Sequence, residues 1–262
     1  MWRRAWGDET SPNFSHSKGF GLRYGILGDI HGNLEALNVA VETLEHRGVD
    51  RFLQMGDLVG YGADPAPCIA RIIELQATVV AGNHDWAVIG KLDTSFFNVY
   101  AREAVEWTRS HLSREDRRFL EELPLVEEVD DQVTLVHATL DQPEVFDYIQ
   151  TYYDAHRSLK ALRTLVCFMG HSHVPMAFLQ KDTIVHSNSE HFALNDVEHA
   201  LINVGSVGQP RDENPKTAFA IYDTDTHEYT LFREEYDSEM TGDKIRKAGL
   251  PPILGERLLY GR

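Results

Sequence analysis

Five short segments of this 262-residue chain carry acid, amide and imidazole side chains at points where a strand gives way to a turn. They are Gly28-Asp29-Ile30-His31, Gly56-Asp57, Gly82-Asn83-His84-Asp85, the lone His137 after Val133-Thr134-Leu135-Val136, and Gly170-His171-Ser172-His173. Carboxylate and amide oxygens are hard donors, imidazoles are softer, and no thiolate accompanies them. That mixture suits Mn, Fe, Zn, Ni or Co rather than Ca or a structural zinc. Asp29, His31, Asp57, Asn83, His84, His137, His171 and His173 are too many for one ion and a natural set for two. Two divalent cations against two aspartates leave a positive pocket, which a chain of formal net charge −16 otherwise lacks.

The elements that must position these residues follow from the patterning. Residues 22–27 read as a strand, after which Asn33 caps a helix with Leu34, Leu37, Val41 and Leu44 on its apolar side. Residues 50–55 make a second strand, Pro65 opens a second helix that runs through Leu75, and residues 77–81 make a third strand. Strand and helix alternate as consecutive βαβ units, which predicts a largely parallel start to a sheet. In such sheets the carboxyl ends of the strands line one rim, where ligands bind.

Residues 91–123 turn helical, 133–136 are a strand, 138–150 an irregular acidic loop, 152–162 a helix and 165–169 a strand. Short strands follow at 176–179, 183–186, 199–204, 217–222 and 228–233, with hairpin tips at Lys181-Asp182 and Thr224-Asp225. The expected fold class is α/β: a two-sheet β-sandwich flanked by helices, with a small helical insertion at 91–123. Residues 1–21 read as a polar extension, 22–236 as one domain, and 237–262 as a tail with a helix near 238–248, broken at Pro251-Pro252.

Composition narrows the class. Hydrophobic residues at 42% and charged residues at 25% describe an ordinary globular chain. No apolar run approaches the roughly 18–20 residues of a membrane span. The acidity argues against an extended nucleic-acid surface. Cys68 and Cys167 sit in apolar segments and read as small buried thiols in a reducing compartment, so a cytoplasmic location is expected. The first 20 residues contain no apolar stretch of signal-peptide length.

The five segments, in this order, resemble the calcineurin-like metallophosphoesterases, whose pattern is D-x-H, G-D, G-N-H-D/E, a lone H and G-H-x-H. The resemblance covers roughly residues 22–223. Asp29-Ile30-His31-Gly32-Asn33 and Gly205-Ser206-Val207-Gly208-Gln209-Pro210-Arg211 are most similar to a small bacterial and archaeal branch described as phosphodiesterase-like or related to diadenosine tetraphosphatases. By that resemblance Asp29, His31 and His173 hold a first metal and Asp57 bridges to a second, completed by Asn83, His137 and His171. His84 contacts the phosphate or protonates the leaving oxygen, and Asp85 orients its imidazole. A hydroxide bridging two divalent transition-metal ions, Mn first among them, is the implied nucleophile.

Three departures from the family pattern stand out. Gly56-Asp57 is followed by Leu58-Val59-Gly60-Tyr61-Gly62, where the protein Ser/Thr phosphatases carry Asp-Arg-Gly, so their phosphate-clamping arginine is missing. Asn203-Val204-Gly205-Ser206 lacks a usual proline, and Ala138-Thr139 follows His137 where glycine and serine are common.

The resemblance implies a dinuclear phosphohydrolase of a phosphodiester or a nucleotide-like phosphate ester or anhydride. A phosphomonoesterase or protein phosphatase and a catalytically silent metal-binding scaffold are the alternatives. The expected partner is a small phosphorylated or nucleotide-like substrate, with no membrane and with oligomerisation open. Three further residues are candidate substrate contacts: Asn33, which also fits a helix cap; Tyr61, which also shapes the loop after Asp57; and Arg211, which also fits a structural ion pair. Phe96, Phe97, Tyr100 and Trp107 read as a local core rather than a base-stacking platform, and Phe146, Tyr148, Tyr152 and Tyr153 are candidates for a substrate lid.

Overall fold

The computed structural model describes residues 21–262, so all but the last residue of the expected N-terminal extension lies outside the described residues. One six-stranded sheet has the order β3 (Thr78–Val79), β2 (Arg51–Gln54), β1 (Arg23–Leu27), β11 (Thr217–Asp223), β12 (Glu228–Glu234), β9 (His191–Ala193). The other has the order β4 (Val126–Val129), β5 (Val133–Val136), β6 (Val166–Met169), β10 (His199–Asn203), β7 (Met176–Gln180), β8 (Ile184–Ser187). Within the first, β1, β2 and β3 run parallel and the rest pair antiparallel. Within the second, β5, β6 and β10 are parallel and the outer strands antiparallel.

The two-residue period of the strands builds the layers. In β1 and β11, Tyr24, Ile26, Ala218, Ala220 and Tyr222 point inward and meet Val133, Leu135, Val166 and Phe168 of the facing sheet. The alternate residues Leu27, Phe219 and Ile221 point outward under α1 (Leu34–His46) and α2 (Pro65–Glu74). The outer face of the second sheet packs against α6 (Tyr152–Ala161) through Cys167, Met169, Phe178 and Leu201. This is the two-sheet sandwich flanked by helices that the sequence predicts. No helix among the described residues is long and apolar enough to cross a membrane.

After α3 (Asn83–Ile89), the insertion at 91–123 is helical as expected: a 3-10 turn at Thr94–Phe96, α4 (Val99–His111) and α5 (Arg114–Glu122). Its aromatics bear out the expected local core only in part: Phe97 and Trp107 pack half-buried against apolar clusters, whereas Phe96 and Tyr100 do not. α4 buries Ala101, Ala104, Val105 and Thr108, which puts Tyr100 on the open face, and Phe96 is 93% exposed at the end of the 3-10 turn. The sequence patterning also missed β4, whose central Glu127-Glu128 hides the alternation of an edge strand, and the three-residue β9.

The C-terminal tail folds back as α7 (Ser238–Lys247) and α8 (Ile253–Glu256). Lys244 Nζ donates to Glu35 on α1 at 2.5 Å and to Asp64 before α2 at 2.6 Å. Trp107 of α4 donates through Nε1 to the Ala248 carbonyl at 3.0 Å. The tail thereby holds together the first turn of α1, the loop that carries Tyr61 and the helical insertion.

Candidate metal centre

The loops that leave β1, β2, β5 and β6 meet at one rim, and cross-loop backbone bonds fasten them together. His31 N–H donates to Asp57 O and Gly170 N–H to His137 O, both at 2.9 Å, and Gly208 N–H to Asp29 O at 3.0 Å. Within this network Asp29, His31, Asp57, Tyr61, His171 and His173 all adopt positive φ, between 36° and 68°. Each such conformation costs a side-chain-bearing residue about 1–2 kcal/mol. The neighbouring chain must also come very close. A Cβ on Gly170 would stand 2.3 Å from Asp29 Oδ2, whose carboxylate takes that space and accepts the His171 N–H at 3.0 and 3.1 Å.

The potential ligand atoms form two overlapping groups: Asp29, His31, Asp57 and His173, and Asp57, His137 and His171, each with its atoms within 4.8 Å of one another. Asp57 belongs to both, with Oδ2 3.5 Å from His31 Nε2 and 3.4 Å from His137 Nε2. Asn83 Oδ1 joins the second group, 3.0 Å from His137 Nε2. All seven side chains are buried.

Their tautomers are set from outside the cluster. His31 Nδ1 donates to Val59 O at 3.0 Å, His173 Nδ1 to Gln209 O at 2.6 Å and His137 Nδ1 to Met55 O at 2.7 Å. A carbonyl only accepts, so in the neutral ring each Nε2 presents a lone pair inward. The His31 and His173 Nε2 atoms then face each other at 3.0 Å, and the His137 Nε2 meets His171 Nδ1 at 3.1 Å. The facing lone pairs of His31 and His173 repel unless a cation lies among them, while His171 Nδ1–H can donate to His137 Nε2 until a cation displaces that proton; the two donor groups together fit divalent ions.

Protonation follows burial. Desolvation pushes the Asp29 carboxyl up to about 7 and Asp57 well above the usual carboxylate range, the latter helped by the charge of Asp85. Burial drives His31, His84, His171 and His173 well below the usual histidine value. Carboxyl protons are thus held where a cation would displace them.

Asp85 departs from its expected role. Its carboxylate accepts the backbone N–H groups of Asp57 at 2.8 Å, Gly82 at 2.9 Å and Val59 at 3.3 Å, while His84 Nδ1 has no hydrogen-bond partner. Asp85 therefore fixes the turn after β2 and the start of α3 instead of orienting the imidazole. Being third in α3, it lies under the N-terminal amides as a capping-box acid does.

Asn33 is a cap and lies off the cavity. Its Oδ1 accepts the Ala36 N–H at 3.1 Å and its Nδ2 donates to Gly208 O at 2.8 Å. Buried Gln54 was missed by sequence reasoning; it bonds both backbone groups of Gly56 and shapes the approach to Asp57. A glutamine ending an apolar strand just before Gly-Asp was the available signal.

Beside the ligands opens a cavity of about 630 Å³, reached by Asp57, Asn83, His84, His171 and His173. Tyr61 and Arg211 line it as well; Arg211 Nη2 donates to the Tyr61 hydroxyl at 3.3 Å and to Gln209 Oε1 at 3.0 Å. Of the four candidate lid aromatics, Phe146 and Tyr148 reach the cavity, and Tyr148 stacks on His171 at 4.0 Å. Tyr152 and Tyr153 are exposed on α6, outside it.

The family model for the calcineurin-like phosphoesterase superfamily domain matches residues 22–227. An uncharacterised protein of Methanocaldococcus jannaschii is 37% identical over 241 residues, which cover 90% of this chain and 97% of that one. A crystal structure of a metallophosphoesterase from Sphaerobacter thermophilus superposes with a TM-score of 0.81 at 36% identity, over 93% of this chain and 100% of that one. A hypothetical protein from Pyrococcus horikoshii shares the fold with a TM-score of 0.75 at 20% identity, over 92% and 99% of the two chains. With its family segments all brought to one buried, metal-fitting rim, the chain belongs to the calcineurin-like phosphoesterase superfamily and is a phosphoric ester hydrolase.

Proposed function

We propose that the chain is a dinuclear-metal phosphohydrolase of a small phosphodiester or nucleotide-like phosphate ester or anhydride. The observation that carries this reading is that Asp57 belongs to both donor groups, so that its carboxylate would be shared if both held a cation. Asp29, His31 and His173 complete the first site, and Asn83, His137 and His171 the second. Divalent cations held there would lower the pKa of a water to about 7 and neutralise charge on the phosphoryl group. The mixed oxygen and nitrogen donors suit Mn²⁺ well.

The chain's own part is positioning and proton handling. His84 stands at the cavity beside both groups, its ring 4.8 Å from that of His31, and it bonds neither group through its imidazole. It is placed to meet a phosphoryl oxygen or to give a proton to the departing alkoxide. The His84 backbone N–H donates to Asp57 Oδ1 at 2.8 Å, which ties the acid's position to that of the bridge. Arg211 supplies the one guanidinium among the described residues lining the cavity and takes the role of holding a phosphoryl oxygen.

The test is turnover of bis(p-nitrophenyl) phosphate beside p-nitrophenyl phosphate after chelation and Mn²⁺ add-back. Metal-dependent diester cleavage is expected. Monoester cleavage alone would move the assignment to a phosphomonoesterase.

A further inference from the structure

The cavity is unequal at its two ends. Its buried floor holds the metal-fitting donors and His84, with half-buried Arg211 beside them. Its exposed rim is formed by two 3-10 turns, Thr94–Phe96 and Pro143–Val145, with the residues beside them. These bring apolar surface: Phe96 is 93% exposed, Val145 50% and Tyr148 46%. They also bring Asp93, Glu144 and Asp147, all exposed, and no lysine or second arginine lines the cavity among the described residues. The N-terminus of α4 also borders it. That end is partly capped by Asn98 Oδ1, which accepts the Ala101 N–H at 3.0 Å.

We infer that the substrate carries a single phosphoryl group and, beyond it, a flat or apolar arm that is uncharged or cationic, so that polyphosphates and substrates with a second phosphate are disfavoured. This rests on the phosphohydrolase reading above and narrows it from esters and anhydrides to esters. A phosphoryl group on the floor meets cations and Arg211. A second anion at the rim meets three carboxylates and no guanidinium or ammonium group, against only the partly capped end of α4. A ring or alkyl arm covers Phe96, Val145 and the free face of Tyr148, and so removes apolar surface from water. A cavity of this volume accepts a whole small organic ligand.

The experiment uses the Mn²⁺-loaded full chain and three p-nitrophenyl diesters with the same leaving group. Their other arm is phenyl, 4-(trimethylammonio)phenyl or 4-carboxyphenyl. The kcat/KM is expected to fall about tenfold or more from the neutral and cationic arms to the anionic one, and less so at high salt. In a combined Asp93→Asn, Glu144→Gln, Asp147→Asn variant the ratio of neutral to anionic substrate should collapse toward one. Equal or faster cleavage of the carboxyphenyl ester by the unaltered chain overturns the inference and leaves the phosphohydrolase reading intact. Failure of the metal-loaded chain to cleave any of the three overturns both. Replacing phenyl by methyl tests the apolar part: kcat/KM should drop, and Phe96→Ala should raise KM for the phenyl ester while leaving that of the methyl ester nearly unmoved.

Discussion

The Nε2 atoms of His31 and His173 lie 3.0 Å apart, on rings whose Nδ1 atoms each donate to a backbone carbonyl. Burial disfavours the charged rings that would carry a second proton, so the two lone pairs face each other until a cation lies among them. Removing metal should therefore lower stability as well as activity. At a free ion concentration about a hundred times Kd, one site stabilises the fold by about 2.7 kcal/mol. Scanning calorimetry with and without chelator, alongside metal content, measures this. A Tm indifferent to chelation in a protein that retains no metal would refute the site.

Metal affinity should rise with pH toward neutrality. The Asp29 carboxyl, raised to about 7 by burial, keeps its proton below that pH, and a cation must displace it. Each displaced proton makes affinity rise about tenfold per pH unit below that value. For the metal-free protein the sign is opposite: stability carried by the protonated acid is fully present below its ordinary 3.8 and is lost as pH rises through about 7. The depressed histidines act the other way, stabilising above their ordinary 6.5 and costing stability as pH falls below it. Metal-free Tm should therefore decline with pH above about 6.5, where the histidine contribution is flat. Calorimetry in chelator across that range, and Mn²⁺ titration at two pH values, check both signs.

All the donor residues except His137 were legible because each stands at a fixed offset from a strand-ending glycine, so a local pattern carried most of the non-local assembly. Asp29 and His171 are distant in sequence, yet Gly28 and Gly170 mark both as rim residues before any contact is known. What the sequence concealed depends on which group a side chain meets across the fold. Asp85 beside His84 looks like its orienting partner, but the helix that starts at Asn83 turns its carboxylate under the amides of 57, 59 and 82. Phe96 has the composition of core, and only the direction of a three-residue turn puts it at the mouth of the cavity. Val59, Met55 and Gln209 act through carbonyls, which every residue has, so no side-chain pattern could mark them.

Asp85→Asn should act on the metal site more than on the proton. The amide leaves one oxygen and sets an NH₂ against a backbone N–H, orphaning a buried donor at a cost of about 1–3 kcal/mol. A loss of about 2–4 °C in Tm per kcal/mol is expected for a chain of this size. Because the turn that carries Asp57 loosens, Mn²⁺ affinity should fall too. His84→Ala should instead keep both metals and lose about 10²–10⁴ in kcat. Metal analysis of the two purified variants separates these outcomes. An Asp85→Asn protein with full metal and Tm but the kcat of His84→Ala would return Asp85 to the role of orienting the imidazole.

Gly60→Ala should disable His84 without touching the ligands. Gly60 has φ +88°, and a Cβ there would stand 2.5 Å from His84 Nδ1 and 3.1 Å from its Cγ. The left-handed backbone alone costs alanine about 1 kcal/mol. The imidazole cannot easily yield, since Tyr61, His31 and Phe97 surround it with ring centroids at 4.5, 4.8 and 5.0 Å. A displaced His84 misses the phosphoryl oxygen, so kcat should fall by about tenfold or more, short of the loss in His84→Ala. Neither donor group contains His84, so metal content should stay at the unaltered level. Steady-state kinetics on bis(p-nitrophenyl) phosphate with parallel metal analysis reads both quantities. A kcat within about twofold of the unaltered chain would show that the His84 ring position is not what sets the rate.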